Sequence, residues 1–100
     1  MVIQHPNKKQ FEQTVASGMT LVDFWAAWCG PCRAQAPIAE NLAMNTDVKL
    51  VKIDVDECGE LSAEFGVTSI PTLLCYKDGE LVKKFIGLTA LDELKKAFGL

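Results

Sequence analysis

Two β-prone runs, residues 20–26 and 48–54, constrain this chain more than any other feature, because a helix-length segment lies between them. The first run, Thr-Leu-Val-Asp-Phe-Trp-Ala, is apolar at alternate positions of both parities, so both faces of that strand call for cover. Residues 32–45 carry Ile38 and Leu42 one turn apart, as a core-facing helix would, with Pro37 removing one backbone hydrogen bond on the way. Two strands joined through such a helix lie parallel, and the crossover is right-handed. The chain around this unit predicts further elements. A helix starts after Asn7, where Asn7 and Gln10 have the spacing of a capping box, buries Phe11 and Val15, and is closed by Gly18. A short helix follows the second run, with Asp56 and Glu57 at its positive end, Leu61 and Phe65 inward and Gly66 as its stop. Asp78-Gly79 between residues 72–77 and 81–86 is a hairpin signal. The last helix takes Thr89 as its cap with Asp92 three residues on, and places Leu91, Leu94 and Phe98 on one face. The order is β-α-β-α-β, a short helix, then β-β-α: an α/β domain with a mixed sheet between helices.

Length and composition narrow the function classes. One hundred residues, 49% hydrophobic and 23% charged, make one globular domain over residues 1–100 rather than a disordered chain. No apolar run approaches the roughly 18 residues of a membrane span. The net charge of −3, with basic residues clustered only as pairs (Lys8-Lys9, Lys83-Lys84, Lys95-Lys96), argues against nucleic acid as a partner. The first six residues have neither a charged-then-apolar secretory pattern nor transit-peptide composition, so cytoplasmic residence is expected; the chain is taken, separately, to be a monomer. In that compartment structural disulfides are rare, and four cysteines need another explanation.

Trp25-Ala26-Ala27-Trp28-Cys29-Gly30-Pro31-Cys32 lies where the first of the two runs hands over to the long helix. Two residues between cysteines on a first helical turn bring both sulfurs within disulfide reach, and such a pair in a βαβ setting is a candidate redox dithiol. Cys29, at the helix N-terminus, faces unpaired N–H groups that stabilise a thiolate; Cys32, one turn in, should be more shielded. Two plainer readings compete. A zinc site would need Cys58, Cys75 and His5 as further ligands, but neither cysteine belongs to a second close pair and Cys75 sits in an apolar strand. A purely structural bridge across two residues would remove almost no chain entropy. Asp23, between Val22 and Phe24, is a charge in a strand covered on both sides. Lys52 is its expected partner. The pair is either a structural ion pair or, with desolvation raising the Asp23 pKa, a proton acceptor for the Cys32 thiol. Cys75 reads as a small buried hydrophobe and Cys58 as non-catalytic, since Glu57 beside it opposes thiolate formation.

The motif from Trp25 to Cys32, with Asp23 two residues ahead of it and Ile70-Pro71-Thr72 and Gly87 downstream, resembles the thioredoxin family over essentially the whole chain. The Gly30-Pro31 dipeptide, which tunes the redox pair, separates that family from protein disulfide isomerases with Gly-His, periplasmic oxidases with Pro-His and glutaredoxins with Pro-Tyr. Departures are Ala27 in a slot often acidic or proline, Phe65 in one often tyrosine, and the extra Cys58 and Cys75; some animal members also carry a cysteine at the Cys58 position. The resemblance implies a thioredoxin fold, a five-stranded sheet of order 1-3-2-4-5 flanked by four helices, with the redox pair at the sheet's edge and a cis Ile70-Pro71 bond. It implies a landing surface of Trp28, Ile70, Pro71 and Gly87, with Trp25 in support, where a substrate segment pairs with the backbone of Ile70. It implies a general protein disulfide reductase with Cys29 as nucleophile and Cys32 as resolving thiol, no bound cofactor, and no metal. Re-reduction would come from NADPH through thioredoxin reductase, as this chain has no Gly-x-Gly-x-x-Gly fingerprint. Peroxiredoxins, methionine sulfoxide reductases and ribonucleotide reductase are the targets it suggests. The rival readings are a disulfide oxidase or isomerase on the same fold, and a binding module that uses the Trp28 surface irrespective of redox state.

Overall fold

The structure is a computed structural model describing residues 1–100. Nine elements follow in the expected order: β1 (Val2–Gln4), α1 (Lys8–Val15), β2 (Met19–Trp25), α2 (Gly30–Asn45), β3 (Lys49–Asp54), α3 (Gly59–Glu64), β4 (Thr72–Lys77), β5 (Glu80–Ile86) and α4 (Leu91–Ala97). They build one five-stranded sheet of order β1-β3-β2-β4-β5, with β3 parallel to both β1 and β2 and the pairs β2–β4 and β4–β5 antiparallel. This is the thioredoxin fold that the motif implies. The redox pair follows the C-terminal end of β2, the central strand, and the register pairs Asp23 with Lys52 across β2 and β3.

Strand alternation divides the core into two layers. One face packs Leu21, Leu50, Leu73 and Cys75 against Ala39 and Leu42 of α2 and Leu94 and Phe98 beside α4. The other packs Val22, Phe24, Val51 and Ile53 against Phe11 and Val15 of α1 and Leu61 of α3. By the same alternation Asp23 and Trp25 share the face of Leu21, on the α2 side of the sheet. Each fully buried large side chain, such as Phe24 or Leu42, contributes about 1.5–3 kcal/mol.

Local signals and tertiary demands meet differently at each helix end. Asn7 and Gln10 form the expected box, with each side chain bonded to the other's backbone N–H at 2.8 and 3.0 Å. Helix α1 stops at Val15 with Ala16 as its C-cap, earlier than the expected Gly18, which lies in the following turn at φ 71°. Helix α2 starts at Gly30, not Cys32, because Pro31 sits in the first turn, where a missing N–H leaves no bond unmade. Asp56 and Glu57 precede α3 rather than opening it, and Glu60 is its first-turn acid. Thr89 does not cap α4: Ala90 holds that position without a side-chain bond, and Thr89 is buried instead. In the hairpin, Asp78 and Gly79 both have positive φ (51° and 85°), as a two-residue turn between strands of right-handed twist requires. No helix is long and apolar enough to cross a membrane.

Candidate redox site

Cys29 is the N-cap of α2, and its Sγ accepts the N–H of Cys32 at 3.2 Å. The two cysteines are joined in a disulfide with their Cα atoms 5.2 Å apart. Both are buried, and the expected contrast in shielding is small: 5% against 3% exposure. The difference between them is electrostatic. One sulfur sits at the open, positive end of a long helix and already accepts a backbone N–H; the other lies within its first turn.

The segment around Pro71 is brought against this pair. The Ile70-Pro71 bond is cis, and Cys29 Sγ lies 3.9 Å from the Ile70 carbonyl oxygen. Gly87 follows β5 at φ 94°, a conformation that favours glycine, and its N–H donates to the Pro71 carbonyl at 2.8 Å. Trp28 is 68% exposed, so it is not core filling; its Nε1 donates to Asp56 Oδ2 at 2.8 Å. Ile86 and Leu88, on either side of Gly87, are both exposed apolar side chains.

Asp23 is fully buried and neither carboxylate oxygen has a hydrogen-bond partner. Burial pushes its pKa up to about 6, with Lys52 opposing that rise. Lys52 is its register partner but not a bonded ion pair: the ammonium stands 5.0 Å from the Trp25 ring centroid, and Trp25 Nε1 is itself buried without a partner. Lys52 thus acts on Asp23 through its charge, without a hydrogen bond.

The remaining thiols lie elsewhere. Cys75 is wholly buried in β4, and its pKa is pushed up to about 12 by burial, against the pull of Lys83. Cys58 precedes α3, half-buried, 3.9 Å from His5 Nδ1; burial first, then Glu57 and Asp54, raise its pKa. The thiols thus do not converge as ligands, and no group of three or more His, Cys, Asp or Glu side chains is placed to hold a metal ion.

Two side chains near the site escaped the sequence reading. Asp56 holds the Trp28 indole, and a local signal for it exists: Asp54 Oδ1 accepts the Asp56 N–H at 2.9 Å in an Asp-x-Asp turn just after β3. Gln35 has no exposed surface and bonds to the backbone of Thr89 twice. Its helical position alone gave no signal.

A thioredoxin family model matches residues 2–99. The thioredoxin of Listeria monocytogenes is 51% identical over 86 residues, covering 84% of this chain and 84% of its own. Among solved structures, a mutant thioredoxin from Halobacterium salinarum superposes with a TM-score of 0.87 at 38% identity, covering 95% of this chain and 85% of that one. A chain solved in work on thiol resolution in a yeast mitochondrial peroxiredoxin by glutathione and thioredoxin systems gives 0.84 at 32% identity, over 97% and 92% of the two chains. With a family model over nearly the whole chain and a relative at 51% identity, this chain belongs to the thioredoxin family: it is a thiol–disulfide oxidoreductase, and Cys29–Cys32 is its redox-active disulfide.

Proposed function

We propose that in this protein disulfide reductase Cys29 attacks and Cys32 resolves. The Cys29 thiolate attacks one sulfur of a target disulfide; that S–S bond breaks, the second target sulfur leaves as a thiolate and is protonated, and a mixed disulfide joins Cys29 to the target. Cys32 then gives up its proton and attacks Cys29 Sγ. The mixed disulfide breaks, the target departs with both sulfurs reduced, and the Cys29–Cys32 bond forms, oxidising the protein by the two electrons the target gained. The observation that carries the assignment is the capping geometry: Cys29 Sγ already accepts a backbone N–H at the positive end of α2, which favours its thiolate.

Asp23 is the acceptor for the Cys32 proton, directly or through one water. Its position on the α2 side of β2, its unpartnered oxygens and a pKa raised to about 6 support that role, with Lys52 keeping the pKa from rising further. Gly30 and Pro31 tune the pair between the cysteines. Trp28, Ile70, Pro71 and Gly87 form the docking surface, where an extended target segment pairs with the Ile70 backbone as an added strand, and Trp25 supports the site from beneath Lys52. Electrons return from NADPH through thioredoxin reductase. Peroxiredoxins are the first targets to test, given the similar chain from a peroxiredoxin system, followed by methionine sulfoxide reductases and ribonucleotide reductase. Residues 1–100 act as one domain, as a monomer in the cytoplasm.

NADPH oxidation with thioredoxin reductase and a protein disulfide tests the reading. Sustained turnover that stops when Cys29 is replaced supports it. No turnover, together with a reduction potential near the roughly −180 mV of protein disulfide isomerase, would make the protein an oxidase or isomerase.

A further inference from the structure

Gln35 carries a burden out of proportion to its type. An amide with no exposed surface is expensive unless both of its ends are bonded, and here both are. Nε2 donates to the Thr89 carbonyl at 3.0 Å, and Oε1 accepts the Thr89 N–H at 2.7 Å. One side chain of α2 thus takes both backbone groups of a single residue lying between β5 and α4. Two hydrogen bonds from one planar group, one to each of the peptide units that meet at Thr89, fix the orientation of that residue's backbone as well as its distance.

The contacts continue from Thr89 back to the redox pair. Thr89 Oγ1 donates to the Gly87 carbonyl at 3.0 Å. The Gly87 N–H donates to the Pro71 carbonyl at 2.8 Å, and the Ile70 carbonyl lies 3.9 Å from Cys29 Sγ. Cys29 caps the helix that carries Gln35, so the ring closes.

We propose that Gln35 is a positioning residue for protein substrates: its grip on Thr89 sets the spacing of the Ile86–Gly87–Leu88 segment from the redox pair, so that a docked polypeptide presents its disulfide roughly in line with Cys29 Sγ. The proposal rests on the reading of Gly87 and Pro71 as docking residues. The substrate class it concerns is an extended, apolar stretch of polypeptide flanking a disulfide. A small free disulfide meets Cys29 without touching the Gly87 segment and is indifferent to the ring.

Two substitutions break the ring at different links. Gln35→Met keeps the length of the side chain and loses both bonds; Thr89→Val keeps the shape and loses the Oγ1 link; Thr89→Ser retains that link. The reduced proteins are compared on insulin, in the coupled assay with thioredoxin reductase, and on 5,5′-dithiobis(2-nitrobenzoate) in direct mixing. The expected result is a KM for insulin raised about tenfold in Gln35→Met and several-fold in Thr89→Val, with kcat and the small-disulfide rate within about twofold of the parent and Thr89→Ser parent-like. An unchanged insulin KM in Gln35→Met, or equal losses on both substrates, overturns the proposal. Should Gln35→Met fail to fold, Thr89→Val against Thr89→Ser decides by the same criteria. A parent protein that does not reduce insulin refutes the docking and mechanism reading itself, which is a different outcome from a parent and Gln35→Met that behave alike.

Discussion

Replacing Asp23 with asparagine removes a charge that the fold holds at a loss, and the size of that loss follows from the site. The carboxyl is wholly buried, both oxygens lack partners, and burial raises its pKa from 3.8 to about 6 despite Lys52. One pKa unit corresponds to about 1.4 kcal/mol, so ionised Asp23 weakens the fold by about 3 kcal/mol relative to the protonated form. Well below pH 3.8 the folded and unfolded chains both carry the proton and the loss is absent. As the pH rises from the unfolded value of 3.8 to the folded pKa of about 6, the unfolded chain ionises while the folded one keeps its proton, so stability falls; by about pH 7 both are ionised and the loss is complete. The substituted amide does not titrate, though it also meets few partners, a penalty that does not vary with pH. The measurable quantity is therefore the difference in unfolding free energy between Asp23→Asn and the parent, from urea titrations of the oxidised proteins between pH 4 and 8. It should grow in favour of the variant by about 2–2.5 kcal/mol across that range, and near neutral pH the melting temperature should rise by about 10–20 °C less whatever the amide loses. A difference that stays flat, or falls, with rising pH would refute a burial-raised pKa. In rapid mixing the same variant should attack targets normally through Cys29 and release them slowly below about pH 7.5, the resolving step having lost its proton acceptor.

Cys32→Ser should accumulate mixed disulfides with target proteins on non-reducing gels, whereas Cys29→Ser should trap none; equal trapping would reverse the assigned roles. Asp56→Ala frees the Trp28 indole from its one acceptor. It should raise the KM for a protein disulfide a few-fold while changing stability by less than about 1 kcal/mol, measured by turnover and urea unfolding. Turnover with Cys58→Ser and Cys75→Ser together should stay within about twofold of the parent, because neither thiol lies at the redox pair. Cys75→Ser should nonetheless lower stability by about 1–3 kcal/mol, as a hydroxyl replaces a thiol at a site without exposure.

What could be read from the chain was what neighbours in sequence decide. Asn7 and Gln10 are three residues apart, Asp78 and Gly79 adjacent, Cys29 and Cys32 on one turn, and each forms the local structure its chemistry favours. Asp23 was legible for a different reason: a charge in an apolar strand is conspicuous before its surroundings are known. The misreadings share one cause. Thr89 has the right spacing to Asp92 for a cap, but Gln35, fifty-four positions earlier, offers its backbone two bonds and draws it into the core. Asp56 has the right place to open α3, yet the Trp28 indole, twenty-eight positions earlier, takes its carboxylate. Lys52 is no misreading: the register pairs it with Asp23 and its charge opposes the rise of the Asp23 pKa, while its ammonium stands over the Trp25 ring. Competition between a local partner and a distant one is settled only when the layers pack.

The place of β2 in the sheet also has a consequence for how the molecule assembles. The β4–β5 hairpin closes over a two-residue turn and is available early. The strand that carries Asp23 and leads into Cys29 has no such neighbour: its partners are β3, beyond a whole helix, and β4, whose Thr72 meets Phe24 only after forty-eight residues have been brought round. Contacts of that separation are slow to form, since the chain between them loses its freedom before the pairing compensates. Cys29 and Cys32, by contrast, are near enough to oxidise in an unstructured chain. Bond and fold are thus made at different times: the disulfide is a local event available from the outset, whereas Ile70, Pro71 and Gly87 reach its side only once the strands far apart in sequence have paired.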